Sequence, residues 1–399
     1  MSPSAPSASP GTAVAVIRAG EMIHQECTGF ADLEWRQPVA PDTVFALASV
    51  TKPFTALTVR GLIDLDTTIG AYLPNYPAAG RDVTVRQLLT HTSGIPEFLE
   101  VPGFHARSYL PQTPGEILAA FADLPLDFAP GSRFSYSNTG YWLLGQIVEA
   151  VTGGSFAEAV AEQVLRPAGM IDTRVLADDA VIPRRARGYS ESGGATRMPS
   201  VTVAGAAGGM VSTLEDLIRF DRFLLREDDR AAWMPVTLSS GRTEGYGLGW
   251  SVGAYRGVEF AGHTGSIDGF VSHYLRFPGE QLGFIVLGNR EGLDVHALTR
   301  RLVETHLSRP EPVVPVPGPV PAELVGTYRD QDSAVTISAD GTATFGRKPH
   351  HLRPLDEATY VSADDPDIRL RAHGNAVTVE FPFGSFTGYR GLRSFTTNE

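Results

Sequence analysis

The run SRPEPVVPVPGPVPAEL places prolines at 310, 312, 315, 317, 319 and 321. Proline has no backbone N–H and a fixed φ, so such a run cannot lie inside a helix or a central strand. It forms a semi-rigid extended spacer instead. No single core can cross it, and the 399-residue chain must divide into a long N-terminal part and a short C-terminal one. A chain of this length also exceeds the usual size of one core. The boundaries read as a disordered Pro/Ser leader over 1–11, a main domain over 12–307, a linker over 308–321 and a small domain over 322–399.

Within the main part, TAVAVIRAGEMIHQECTGFAD reads as two strands joined by a turn at Ala19-Gly20. Helices are expected from Thr51, from Thr84 as N-cap, in TPGEILAAFADL and in YWLLGQIVEAVTG, where apolar residues recur at helical spacing. Ser212-Thr213-Leu214-Glu215 matches a capping box. The strand-like segments GVEFAGHTG, FVSHYLRFP and QLGFIVLGNR come next, then a helix in DVHALTRRLVETHL. Strands at both ends of a long helical insert predict one antiparallel sheet built from the two ends, an α+β arrangement. Beyond the prolines, short strand-like runs with an Asp340-Gly341 hairpin turn predict a small all-β barrel. His350-His351 reads there as a solvated turn rather than a metal pair.

With 42% hydrophobic and 20% charged residues the composition is that of a globular protein, and a net charge of −12 argues against nucleic acid and anionic membrane surfaces as partners. The single cysteine, Cys27, excludes an internal disulfide. No apolar run is long enough to span a membrane, and the start lacks the pattern of a secretory signal, so a cytoplasmic protein is expected. No metal motif is present, and no cofactor is implied.

The basic residues are uneven in a telling way. Lysine occurs twice, at Lys52 and Lys348, against 31 arginines. A guanidinium essentially never gives up its proton, whereas a buried ammonium can. Lys52 lies three positions after Ser49 at the start of a helix, which puts the amine beside the hydroxyl. Tyr136-Ser137-Asn138 precedes another helix, and a phenol beside Lys52 could become phenolate-like and take the proton of Ser49. His263-Thr264-Gly265 lies near a strand end, where Gly265 would let a substrate backbone come close. Gly249-Trp250-Ser251-Val252-Gly253 fits the Gly-x-Ser-x-Gly pattern of α/β-hydrolases. The next residues, AYRGVEFAGHTG, read as another strand, so Ser251 lacks the strand-to-helix turn that this motif needs. His91 and Ser93 read as helix-end structure.

FALASVTKPFTA, LLTHTSGIP, FSYSNTGYWLLGQIVEAVTG, AAGGMVST and GHTGSIDGF together resemble the penicillin-recognising serine hydrolases: class C β-lactamases, DD-peptidases, D-aminopeptidases and β-lactamase-like esterases. The resemblance runs from about residue 12 to 307, with a C-terminal lipocalin-like barrel seen in several members. It implies Ser49 as nucleophile, with Lys52 and Tyr136 sharing the base role. Asn138 would orient the substrate amide and Lys52, and the backbone N–H groups of Ser49 and Ser266 would form the oxyanion hole. His263 takes the place of the lysine in the β-lactamase Lys-Thr-Gly motif, so His263, Thr264, Gly265 and Ser266 are expected on the substrate. The stretch after Lys52 is about one helical turn shorter than is usual in that family. The expected function is acyl-enzyme hydrolysis of esters or D-amino-acid amides and peptides. The alternatives are a penicillin-binding-type thioesterase, cyclase or acyltransferase, then a β-lactamase, then a non-catalytic scaffold. The partner is a small-molecule or peptidyl acyl substrate, with oligomeric state open.

Overall fold

The computed structural model describes residues 9–307 and 319–390, leaving out 178, 228, 330–333, 346–347, 356–357 and 375. Residues 1–8 of the expected leader and 308–318 of the expected linker lie outside the described residues. Residues 9–11 are already attached to the fold: the Phe30 N–H donates to Ser9 O at 3.0 Å, and the Gly11 N–H to Asn289 Oδ1 at 2.7 Å.

The N-terminal hairpin forms as the pattern predicts. Strands β1 (Thr12–Arg18) and β2 (Glu21–Thr28) pair antiparallel across Ala19 and Gly20, both at positive φ, as a tight two-residue hairpin turn requires. Four later strands join them: β3 (Ser251–Tyr255), β4 (Val258–Ile267), β5 (Phe270–Phe277) and β6 (Leu282–Gly288). The sheet order is β3-β4-β5-β6-β1-β2, antiparallel throughout, with β1 closing against β6. Both ends of the main domain therefore meet in one sheet.

Every residue of β5 and β6 is buried, because helices cover both faces. Alternation along β1 sorts its side chains: Ala13, Ala15 and Ile17 join the large helical core, whereas Val14 and Val16 face the opposite side. The large core takes in α1 (Thr51–Leu62), α2 (Asn138–Thr152), α3 (Val201–Gly208) and α4 (Leu214–Glu227). The opposite face is covered by α5 (Val295–His306), through Val295 and Val303. At the start of α4 the cap is shifted one residue from the expected position. Thr213 Oγ1 accepts from the Asp216 N–H at 3.1 Å, while Ser212 ends a short strand and bonds Thr173. Ser212 is committed to strand pairing, so the hydroxyl left at the helix mouth is that of Thr213.

The C-terminal part is a closed antiparallel barrel of eight strands between Gly326 and Arg390. His350 and His351 lie in one of these strands, not in a turn. Strand alternation sends His350 inward, stacked on Phe345 at 4.4 Å, and His351 outward to Asp364 at 3.0 Å. The barrel docks on the α5 face. Phe383 inserts beside Tyr255, Phe260 and Phe277 with ring centroids 4.9, 6.0 and 6.3 Å away. Around it, Asp367 accepts from Arg256 at 2.8 Å and Arg300 at 2.7 Å, and Asp365 accepts from Arg300 at 2.6 Å.

Candidate active site

Ser49 lies in the turn Ala48–Val50 that leads directly into α1. The turn is tightly held. Ala48 has φ +46, a left-handed conformation that costs an alanine energy, and Leu47 N–H donates to Met210 O at 2.9 Å. Ser272 Oγ donates to Leu47 O at 2.7 Å. Gly265 explains how β4 comes so near: a Cβ there would lie 2.2 Å from Leu47 O and 2.4 Å from Ser272 Oγ. The backbone that its bare Cα admits here is that of the turn at Leu47 and Ala48 in this same chain.

Lys52 is the second residue of α1 and fully buried. Its Nζ is 2.9 Å from each of Ser49 Oγ, Asn138 Oδ1 and Ala207 O. Two of these partners come from other helices: Asn138 opens α2, and Ala207 lies near the end of α3. The mouth of α2 is fixed by Ser137 Oγ, which accepts from the Gly140 N–H, and by the buried Glu97, whose Oε2 accepts from the N–H groups of Asn138 and Thr139 at 2.5 and 3.2 Å. A carboxylate at a helix N-terminus also complements the helix dipole. Tyr136 lies just ahead, with the Lys52 ammonium 4.7 Å from its ring centroid.

Under Tyr136 sits a buried aromatic floor. His91, at φ +57, accepts the Ser137 N–H on Nδ1 at 2.9 Å, lies tilted against Tyr136 with ring centroids 4.3 Å apart and meets Tyr246 edge-on at 4.6 Å. Burial, and then the Lys52 charge, hold His91 well below the ordinary histidine range. It is structural, as its helix-end position suggests, and it supports the site from below.

His263 is also beneath the surface rather than on it. Its Nδ1 is 2.6 Å from Thr264 O, a carbonyl that can only accept, so Nδ1 carries the hydrogen. Nε2 then accepts from the Tyr246 hydroxyl at 2.9 Å. Burial, helped by the Lys52 charge, pushes the imidazole down to about 3, so it stays neutral at physiological pH. Burial likewise pushes the Tyr246 phenol well above its usual value. Tyr246 is not visible in the sequence as a site residue: it is a tyrosine in a glycine-rich stretch, brought in only by the fold.

A cavity of about 140 Å³ opens over Ser49, with Asn138, Ser266 and Ala207 on its wall and Phe98, Val203 and Ile267 among its apolar lining. Of the residues expected on substrate, Asn138 and Ser266 line this cavity. His263 and Gly265 are buried behind it, and Thr264 is half-buried on the same strand. No described barrel residue lines it. Ser251 opens strand β3 and no helix comes after it there, so the rival nucleophile lacks its turn. Among the described residues no group of three His, Cys, Asp or Glu could hold a metal ion, and no helix is long and apolar enough to cross a membrane.

The buried lysine and the serine hydroxyl meet at the mouth of a helix that faces an antiparallel sheet. The chain belongs to the Beta-lactamase family, whose model matches residues 4–308. It is 29% identical over 314 residues to penicillin-binding protein 4* of Bacillus subtilis (strain 168), covering 70% of this chain and 68% of that one. It is 29% identical over 397 residues to a D-aminopeptidase of Gluconobacter oxydans (strain 621H), covering 93% and 71%. Among solved structures, SurE with D-Leu superposes with a TM-score of 0.63 at 27% identity, over 95% of each chain.

Proposed function

We propose that this protein is a serine hydrolase acting through a Ser49 acyl-enzyme on esters or D-amino-acid amides and peptides. The observation that carries the reading is the set of three contacts around Lys52 Nζ. A neutral amine has two hydrogens and one lone pair. In the charged form that acts on His91 and His263, Lys52 donates to Ser49 Oγ; once deprotonated it can keep hydrogens on Asn138 Oδ1 and Ala207 O and offer its lone pair to the Ser49 hydroxyl. Lys52 takes that proton as Ser49 Oγ attacks the acyl carbon, and Tyr136 shares the role: its hydroxyl gives a proton to the leaving group as the acyl bond breaks and is reprotonated from Lys52. The backbone N–H groups of Ser49 and Ser266 stabilise the oxyanion. Water then cleaves the acyl-enzyme by the same steps in reverse. Membership of a serine hydrolase family supports the reaction class, and relatives named D-aminopeptidase support D-configured amides among the substrates.

A fluorophosphonate probe tests the nucleophile. Intact-mass spectrometry should show one adduct and peptide mapping should place it at Ser49. An adduct at Ser251, or none, overturns the reading. Turnover of p-nitrophenyl esters, D-amino-acid p-nitroanilides, nitrocefin and peptidyl thioesters then ranks the acyl groups.

A further inference from the structure

A cavity of about 360 Å³ lies along α2 and shares no lining residue with the cavity over Ser49. Three stretches build its walls: the chain from Tyr72 to Tyr76, the start of the helix Pro114–Phe121, and α2 itself. The first stretch is held by two turns of backbone, with the Leu73 N–H on Ile69 O at 2.8 Å and the Tyr76 N–H on Leu73 O at 2.9 Å. Helical spacing explains what α2 contributes. Trp142, Gln146 and Ala150 stand four residues apart and so share one face.

The lining departs from the rest of the chain. Charged residues make up 20% of the sequence, yet among the described residues no Asp, Glu, Lys, Arg or His lines this cavity. Leu73, Leu118, Trp142 and Leu143 make it apolar. Tyr76 is the telling exception. It is only 4% exposed, and its ring packs where Gly80 has no side chain: a Cβ there would lie 2.7 Å from Tyr76 Cε1. The Tyr76 hydroxyl has no hydrogen-bond partner among the described residues, and burial alone acts on it, pushing the phenol up. A buried hydroxyl normally finds a partner, because leaving it unpaired is costly. Apolar walls with one fixed, unsatisfied donor are the makings of a small-molecule site.

The same cavity touches the frame of the nucleophile site. Trp142 stands one turn after Asn138 on α2, and its Nε1–H donates to Thr202 O of α3 at 3.0 Å. Its ring also meets α3 at the kink, where a Cβ on Gly205 would lie 3.6 Å from Trp142 Cδ1, two residues before Ala207. Trp142 therefore ties together the two helices that bring Asn138 Oδ1 and Ala207 O to Lys52.

We infer that this cavity is a second ligand site, for a neutral and mostly apolar small molecule whose carbonyl oxygen accepts from the Tyr76 hydroxyl while its rings rest on Trp142. No Ser, Cys, Lys or His lines it among the described residues, so the molecule is bound there as an effector and not as a substrate.

Calorimetric titration of the full chain with 1-tetralone, a two-ring ketone, and with tetralin, the same frame without the oxygen, tests the site. Tetralone should bind the wild type about 3- to 10-fold more tightly than tetralin, the worth of one hydrogen bond. Tyr76→Phe keeps the ring and should bring the two to equal affinity. Gly115→Trp should abolish binding of both, since a Cβ at Gly115 meets nothing within 4 Å and the indole has the cavity to fill. Failure of the wild type to bind millimolar tetralone overturns the site. So does a preference for tetralone that survives Tyr76→Phe, a comparison that decides the matter even if Gly115→Trp does not fold. Binding that survives a folded Gly115→Trp, but is lost once a phosphonate occupies Ser49, puts the ketone over Ser49 and overturns the site as well.

Discussion

The six-stranded sheet and the eight-stranded barrel are both antiparallel, but they treat polar groups in opposite ways. The barrel closes on itself and fills its interior with its own apolar side chains, such as Val335, Leu352, Leu370 and Val379, and the buried Tyr328 hydroxyl is satisfied locally by Leu324 O at 3.1 Å. The open sheet cannot complete its core alone. Helices from distant parts of the chain cover it, and where their ends meet β4, backbone carbonyls and polar side chains collect out of bulk water. Lys52, Asn138, Ala207 and His263 meet at such a junction. Among the described residues the closed barrel has no comparable meeting of helix ends with a strand.

The sharpest way to break this comparison is to remove the nucleophile. Ser49→Ala should abolish turnover and probe labelling while the melting temperature stays within about a few degrees, since a half-exposed hydroxyl in a turn is not core. Residual turnover at the wild-type rate would move the chemistry elsewhere. Next, Lys52→Arg keeps the charge but cannot share a proton, so kcat should fall by about 10³-fold. Tyr136→Phe should do similar damage, and the two losses should not add. If Lys52→Arg stays active, the lysine is only electrostatic and Tyr136 must act alone.

Acid should weaken the site's half of the molecule. Between about pH 6.5 and pH 3 the unfolded chain carries a proton on His263 that the folded chain refuses, so stability is full above about 6.5 and declines as pH falls. His91 and His273, held well below the ordinary range by burial, act in the same sense. Each contributes at most ~1.4 kcal/mol per pH unit. Melting temperatures at pH 7 and pH 5 should therefore differ less in His263→Asn than in the wild type; equal differences would show that His263 already protonates in the fold. Tyr246→Phe leaves His263 Nε2 without its donor and should cost about 1–3 kcal/mol in urea unfolding, together with some activity. A cost near zero would mean the bond is replaced by water. Smallest in effect on catalysis is Asp367→Ala at the barrel contact. It strips Arg256 and Arg300 of an acceptor and should loosen barrel docking, read as faster limited proteolysis, without changing kcat on a small ester. A changed kcat would tie the barrel to the site after all.

Much of this was legible beforehand, for identifiable reasons. Ser49 and Lys52 are close because three residues make about one helical turn, a relation local enough to survive any fold. The strands at the two ends of the main domain had to find partners, and they found each other. Two readings failed where local pattern competed with tertiary demand. Ser212 fits a capping box but is drawn into a strand, and the His350-His351 pair fits a turn but takes the alternation of a barrel strand. Gly265 is singled out for close approach, and the group that approaches it here is Leu47 O.

The sequence by itself determined that Ser49 and Lys52 are neighbours at the start of one helix, because helical spacing does not depend on the rest of the chain. It also determined, through six prolines, that the C-terminal strands fold apart from the sheet. Only the tertiary structure decided that Ala207 O and Asn138 Oδ1 lie 2.9 Å from Lys52 Nζ and that the Tyr246 hydroxyl lies 2.9 Å from His263 Nε2. Lys52 and Ala207 stand 155 residues apart along the chain, and a backbone carbonyl or an empty volume leaves no mark in the residue types. Such relations arise from how helices pack around a sheet.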